Sequence, residues 1–129
     1  MRLKVWIPTD AVLDEEVTKI KAEAETGWFG ILPRHVDFVT SLVPGILSFE
    51  LPDKQMGYLA IDHGILVKCG PAVSVSTRNA VRSSDPSQLK EAVVEEFRKR
   101  GEKERNVRQF EAKLEAELVR QLLKVEKHV

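Results

Sequence analysis

Cysteine is nearly absent from this chain of 129 residues. Cys69 stands alone, which excludes an internal disulfide and any paired-cysteine zinc site. It lies in a strand-like run and reads as a small buried hydrophobe rather than a nucleophile. No apolar run approaches the ~20 residues needed to span a bilayer. "MRLKVWIPTD" has charges inside its one short apolar run, so it does not read as a signal peptide. Membrane association is therefore expected only through a partner. There is also no excess charge: 20 Lys plus Arg balance 20 Asp plus Glu, so nothing global steers the chain to nucleic acid or acidic lipid. The densest basic cluster, Arg98-Lys99-Arg100, is cancelled by acidic residues at 95, 96, 102 and 104.

Catalytic patterns are missing too. No Gly-rich loop ends in Lys-Ser or Lys-Thr, and no Gly-x-Ser-x-Gly elbow occurs. His35, His63 and His128 stand in unrelated contexts, without the spacing that would place two ligands on one helix face. Asp10, Asp14, Glu15 and Glu16 read as solvated turn and strand positions, since adjacent strand residues point to opposite faces. No catalytic residue, metal site or cofactor is expected. The chain reads as a structural or regulatory protein rather than an enzyme.

What is present divides in two. Residues 1–84 carry 19 of the 40 charges and residues 85–129 carry 21, in a much shorter stretch. The apolar period changes at the same place. Leu3, Val5 and Ile7 alternate with Lys4 and Trp6, and Ile20, Ala22 and Ala24 with charged neighbours. Leu47, Phe49 and Leu51 alternate with Ser48 and Glu50, and Val73, Val75 and Thr77 with Ser74 and Ser76. Period two marks strands with one buried face, the habit of antiparallel sheet. The spacers "PTD", "VPG", "PDKQMG" and "CGP" are turn chemistry, and His63-Gly64 marks a tight hairpin or bulge. The expectation is a β-sandwich or barrel of antiparallel strands over 1–84 that folds alone.

Residues 85–129 read as a helical hairpin, with helices near 86–100 and 102–127. Asp85 suits an N-cap, Pro86 the first helical position, and Gln88 a capping box. Leu89, Ala92, Val93 and Phe97 form one stripe, and Gly101 a stop. Val107, Phe110, Leu114, Leu118, Leu122 and Val125 form the second stripe. Pairs four apart (Glu95 with Lys99, Glu96 with Arg100, Glu104 with Arg108) add a few tenths of a kcal/mol each. Such a pair is marginal alone. It is either a mobile element or one packed permanently on the sheet.

"GWFGILPRH" (27–35) is unusually apolar for a segment punctuated by glycine and proline. It reads as a loop with Ile31 and Phe29 inward and Trp28 exposed as an interface anchor. Gly27, Gly30, Ile31, Pro33, His35, Pro44 and Gly45 match, in order, a pattern by which the chain resembles the epsilon subunit of F-type ATP synthases. The matching stretches are 12–47 and 58–81, the second resembling the family's closing hairpin. The variant is most similar to the epsilon subunits of the alternate bacterial ATPases. The resemblance implies a non-catalytic foot of the central stalk that binds the gamma subunit and the c ring and couples ion transport to ATP synthesis or hydrolysis. It implies c-ring contacts at Trp28, Phe29, Leu42 and Val43, and a gamma contact at His35. Many members carry an acidic residue where Trp28 stands, so an apolar contact takes its place here. The hairpin would lie beside the sandwich or extend toward the alpha/beta head and restrain hydrolysis. The implied location is the cytoplasmic face of the bacterial inner membrane, held through the complex. The competing reading is a ligand-sensing β domain, or an adaptor of another assembly.

Some members bind ATP through Ile/Leu-Asp-x-x-Arg-Ala at the start of the first helix. Here "SSDPSQLKEAV" keeps Asp85, but Lys90 and Glu91 do not restore the Arg-Ala pair in register. Isothermal titration is therefore expected to show no micromolar ATP affinity; a micromolar isotherm would contradict this.

Overall fold

The computed structural model describes residues 1–83, 86–99, 101 and 103–127, with side chains left aside at 86, 87, 90, 96, 97, 117, 118 and 120–127. Among these residues the strands are β1 (Arg2–Ile7), β2 (Asp10–Glu16), β3 (Lys19–Ala24), β4 (Gly27–Ile31) and β5 (Phe38–Leu42). β6 (Gly45–Glu50), β7 (Met56–Ile61), β8 (Gly64–Cys69), β9 (Ala72–Thr77) and β10 (Ala80–Ser83) follow, then α1 (Pro86–Lys99) and α2 (Glu104–Lys127). The expected strand-to-helix architecture is the one found.

The strands form one sheet in the order β10-β7-β6-β3-β5-β8-β9-β1-β2, with β4 attached to β3. β3 and β5 share a single pair, Ala24 with Leu42, and there the sheet folds over into two layers. Alternation then delivers Leu3, Val5, Ile20, Ala22, Leu47, Phe49, Val73 and Val75 to one apolar core between the layers. The seam between the sheet's outermost strands is bridged by Arg82 of β10, 2.8 Å from the Glu15 carboxylate of β2. Gly57, paired opposite Phe49, leaves the space its ring fills; a Cβ there would overlap the ring.

Two readings need correction. β7 and β8 are not a hairpin around His63-Gly64: β7 pairs with β6 and β10, and β8 with β5 and β9. The turn carries the chain from one layer to the other. Gly64 allows it, because a Cβ there would lie 2.6 Å from the Ser76 carbonyl oxygen. The strands are also not all antiparallel, since β1 pairs parallel with β9. The hairpin of this region is β8–β9, turned at Gly70 with φ +58°.

The helices pack against the outer face of the β10-β7-β6 layer. Ile46 of β6 and Ala60 of β7 meet Leu89 and Val93 of α1 and Val107, Phe110 and Leu114 of α2 in a second core, with Tyr58 and Val81 at its margin. Each of the larger buried side chains, Ile46, Leu89, Val93, Val107, Phe110 and Leu114, contributes about 1.5–3 kcal/mol over its exposed state. That is how a hairpin too short to persist alone is held. α2 starts at Glu104 rather than 102, with the Lys103 carbonyl accepting from the amides of Asn106 and Val107 at 2.9 and 3.1 Å. Gly101, φ +72°, makes the stop. Glu104 pairs with Arg98 across the turn at 2.9 Å, not primarily with Arg108, and this hydrogen bond draws the Glu104 carboxyl below its usual range. Glu95 and Lys99 pair at 3.5 Å as expected. The Asp85 cap, the Glu96–Arg100 pair and the side chains of Phe97, Leu118, Leu122 and Val125 lie outside the described residues.

Among the described residues, the inner core contains no helix residue. We propose on that ground that the division near residue 84 separates a strand part that folds by itself. Leu114→Ala is then expected to weaken hairpin docking by about 2–4 kcal/mol. Limited proteolysis should become faster in α2, while the thermal transition of the strands stays in place.

Candidate partner-binding surfaces

The Gly-x-x-Gly segment is a strand, not a loop. β4 pairs along β3 with Trp28 opposite Glu23, Phe29 opposite Ala22 and Ile31 opposite Ile20. Gly27 starts it at φ +126°, a conformation that side chains strongly disfavour. Ala22 and Ile20 face the inner core, so Phe29 and Ile31 do too. Ile31 is fully buried, and Phe29 is half-buried and meets Phe38 edge-to-face at 5.6 Å. Trp28 faces outward beside Glu23, half-buried, with the Lys21 ammonium 5.4 Å from its ring centroid.

His35 lies in the segment between β4 and β5. Its ring is tilted against Phe38 at 4.8 Å, and its Nδ1 donates to the Val36 carbonyl at 2.7 Å. Leu42 is only 1% exposed and belongs to the inner core. Its side chain therefore offers no outer surface, contrary to its expected place as a contact. Alternation is the cause: Leu42 pairs with Ala24 and Gly64 on the inward face. Val43 is half-buried, its amide donating to the Glu23 carbonyl at 3.1 Å. Because Ala24 pairs with both Gly27 and Leu42, the Gly-x-x-Gly strand and the Leu-Val-Pro-Gly turn meet at one end of the sandwich. A groove of about 590 Å³ opens at that end, among Pro8, Glu25, Ser41, His63, Ile65 and Arg78.

The sequence reading missed a larger surface. On the outer face of the β5-β8-β9-β1 layer, Val39 pairs with Val67 and Ser41 with Ile65. Ser74 and Ser76 of β9 lie opposite Val67 and Ile65, and Trp6 of β1 lies opposite Ser76. Trp6, Val39, Ile65 and Val67 are 37–67% exposed, and Val36, just before β5, is 74% exposed. Flat serines among exposed aliphatics and a tryptophan make an apolar stripe of the kind that marks an interaction site. The signal was in "GILVKCG": three consecutive apolar residues in a strand place apolar groups on both faces. Cys69, on the same outward face, is exposed and not buried as expected.

Of the acidic residues read as solvated, Asp14, Glu15 and Glu16 are ion-paired, while Asp10 accepts from the Ala11 amide at 2.8 Å. Asp14 accepts from Arg2 Nε at 2.7 Å, which lowers its carboxyl, and Glu16 lies 2.8 Å from the terminal amine. Lys68 is buried, its Nζ donating to the Gly70 carbonyl at 2.7 Å, and Asp37 accepts from the Gly70 amide at 2.7 Å. These contacts tie the β8–β9 turn to the segment before β5. Among the described residues no three His, Cys, Asp or Glu side chains group as a metal site, and no helix is long and apolar enough to cross a membrane.

Residues 1–83 match the family model described as the ATP synthase delta/epsilon chain β-sandwich domain. The chain belongs to the ATP synthase delta/epsilon family. It is 33% identical over 126 residues to a Cereibacter sphaeroides protein named ATP synthase epsilon chain 2, covering 96% of this chain and 86% of that one. It is 32% identical over 127 residues to a Paraburkholderia xenovorans protein of the same name, covering 96% and 91%. Among solved structures it is similar, at TM-score 0.64 and 27% identity, to a chain of the Euglena gracilis mitochondrial ATP synthase OSCP/F1/c-ring assembly, covering 93% of this chain and 79% of that one. The epsilon resemblance seen in the glycine, proline and histidine pattern is thus the family relationship found.

Proposed function

We infer that this chain is an epsilon-type central-stalk subunit of a rotary F-type ATP synthase, joining the gamma subunit to the c ring. It performs no chemistry of its own and reaches the membrane, at its cytoplasmic face, through its partners. The family relationship supports the assembly, and the exposed apolar stripe carries the interface assignment. A stripe of Trp6, Val39, Ile65 and Val67 suits a long helical partner whose apolar side runs along the sheet, which is the gamma subunit in this reading. His35, at the end of the stripe near Val36, extends that contact.

The sandwich end where Gly27 and Leu42 converge on Ala24 is assigned to the c ring. There Trp28 and Val43 present the contact surface. Phe29 and Leu42 support it from beneath, through Phe38 and the inner core. The docked hairpin is the arrangement that leaves the alpha/beta head free; its release would let the helices reach the head and restrain hydrolysis.

Val39→Asp with Ile65→Asp is expected to weaken binding to the cognate gamma subunit at least tenfold in a pull-down titration, about 1.4 kcal/mol or more, with the circular dichroism of the chain unchanged. Trp28→Ala is expected to keep gamma binding and folding while lowering ion transport per ATP hydrolysed in the reconstituted complex. Unchanged gamma affinity in the first variant, or unfolding of the second, would contradict the assignment.

A further inference from the structure

The docked hairpin creates a cleft that neither part has alone. Where α2 passes the loop end of the sandwich, a space of about 290 Å³ is bounded by Asp62, His63 and Arg78 of the strand turns and by Asn106, Gln109 and Lys113 of α2. The balance of these groups is positive. Arg78 and Lys113 bring fixed cations from two separate elements, and His63 adds an imidazole. The carboxamides of Asn106 and Gln109 add neutral N–H donors. Asp62 is the one carboxylate in the lining, and both its oxygens are engaged: Oδ1 accepts from the His63 amide at 2.7 Å, and Oδ2 from Arg78 at 3.3 Å. Asp62 thus orients Arg78 at the edge of the cleft. The Arg78 side chain remains 72% exposed, with most of its five donors available to a ligand.

We propose that this cleft binds a small oxyanion of the phosphate class from solution. The chemistry is that of a guanidinium and an ammonium converging on one anion, with amide donors completing the shell. The volume lies at the lower limit of ligand pockets, about 300 Å³, and so suits a single phosphoryl group rather than a nucleotide. The site exists only while α2 lies on the sandwich, because its walls come from both. A bound anion therefore favours docking by the factor 1 + [L]/Kd; at ten times Kd the docked-to-open ratio rises about elevenfold. His63 and Arg78 also line the 590 Å³ end groove, so the anion site adjoins that end of the sandwich.

The test uses the full isolated chain and does not depend on any partner subunit. Inorganic phosphate is titrated against potassium chloride at matched ionic strength, with amide chemical shifts followed by NMR. Saturable shifts are expected at His63, Arg78, Asn106 and Gln109, with α2 amide exchange slowing by the factor above. Lys113→Ala, a change on the helix surface, and Arg78→Ala should each weaken the titration at least tenfold. Three outcomes overturn the proposal: shifts no larger than in chloride, saturable shifts indifferent to both substitutions, and shifts produced by phosphatidylglycerol vesicles but not by phosphate.

Discussion

Everything in this molecule hangs on a strand that is buried on both sides. In β6, Leu47 and Phe49 point into the space between the two sheet layers, and Ile46 points the other way, under the helices. Five of its six residues, Gly45 through Phe49, are buried, Ser48 included. A strand in an open sandwich buries one face. β6 buries two because it is the shared wall of two cores, one made of strands alone and one made by strands and helices together. The hairpin's stability and the strands' stability meet in that wall but do not depend on the same side chains.

This arrangement accounts for the distribution of surfaces. The β10-β7-β6 outer face is occupied by helices, so the face left for a partner is the outer side of the β5-β8-β9-β1 layer, where the apolar stripe lies. The fold of the sheet at Ala24 and Leu42 brings the Gly-x-x-Gly strand to the same end as the turns that hold His63 and Arg78. A sandwich with a long contact face, a loop-rich end and a pair of helices packed on a core of their own is suited to joining a shaft to a ring. Exposed charges are drawn into ion pairs, Arg2 with Asp14, Arg82 with Glu15 and Arg98 with Glu104.

Much of the fold was legible because period two reports a buried face directly. Ile20, Ala22 and Ala24, and Val73, Val75 and Thr77, lie inward as their alternation requires. The helical stripe Leu89, Val93, Val107, Phe110, Leu114 was equally plain. The second faces of β6 and β7 were not, since Ile46 and Ala60 gain their partners from residues far along the chain, and alternation within one strand cannot reveal such a neighbour. The same limit hid the stripe: outward Ile65 and Val67 were overlooked beside inward Leu66. Trp28 was placed on a loop because its flanking glycines look like turn residues. In the structure Gly27 supplies the one backbone angle that starts an edge strand, and the aromatics follow its alternation. Cys69 misled for a related reason, since strand membership does not say which face a residue takes. Local pattern identified the elements; which faces are covered was decided by distant contacts.

The most direct test of the two-core account is native-state hydrogen exchange on the free chain across a denaturant series. The account predicts that α1 and α2 amides exchange through a smaller opening, at lower free energy and with weaker denaturant dependence, while β6, β8 and β9 amides exchange only by global unfolding. A single shared free energy and denaturant slope for helices and strands would contradict it.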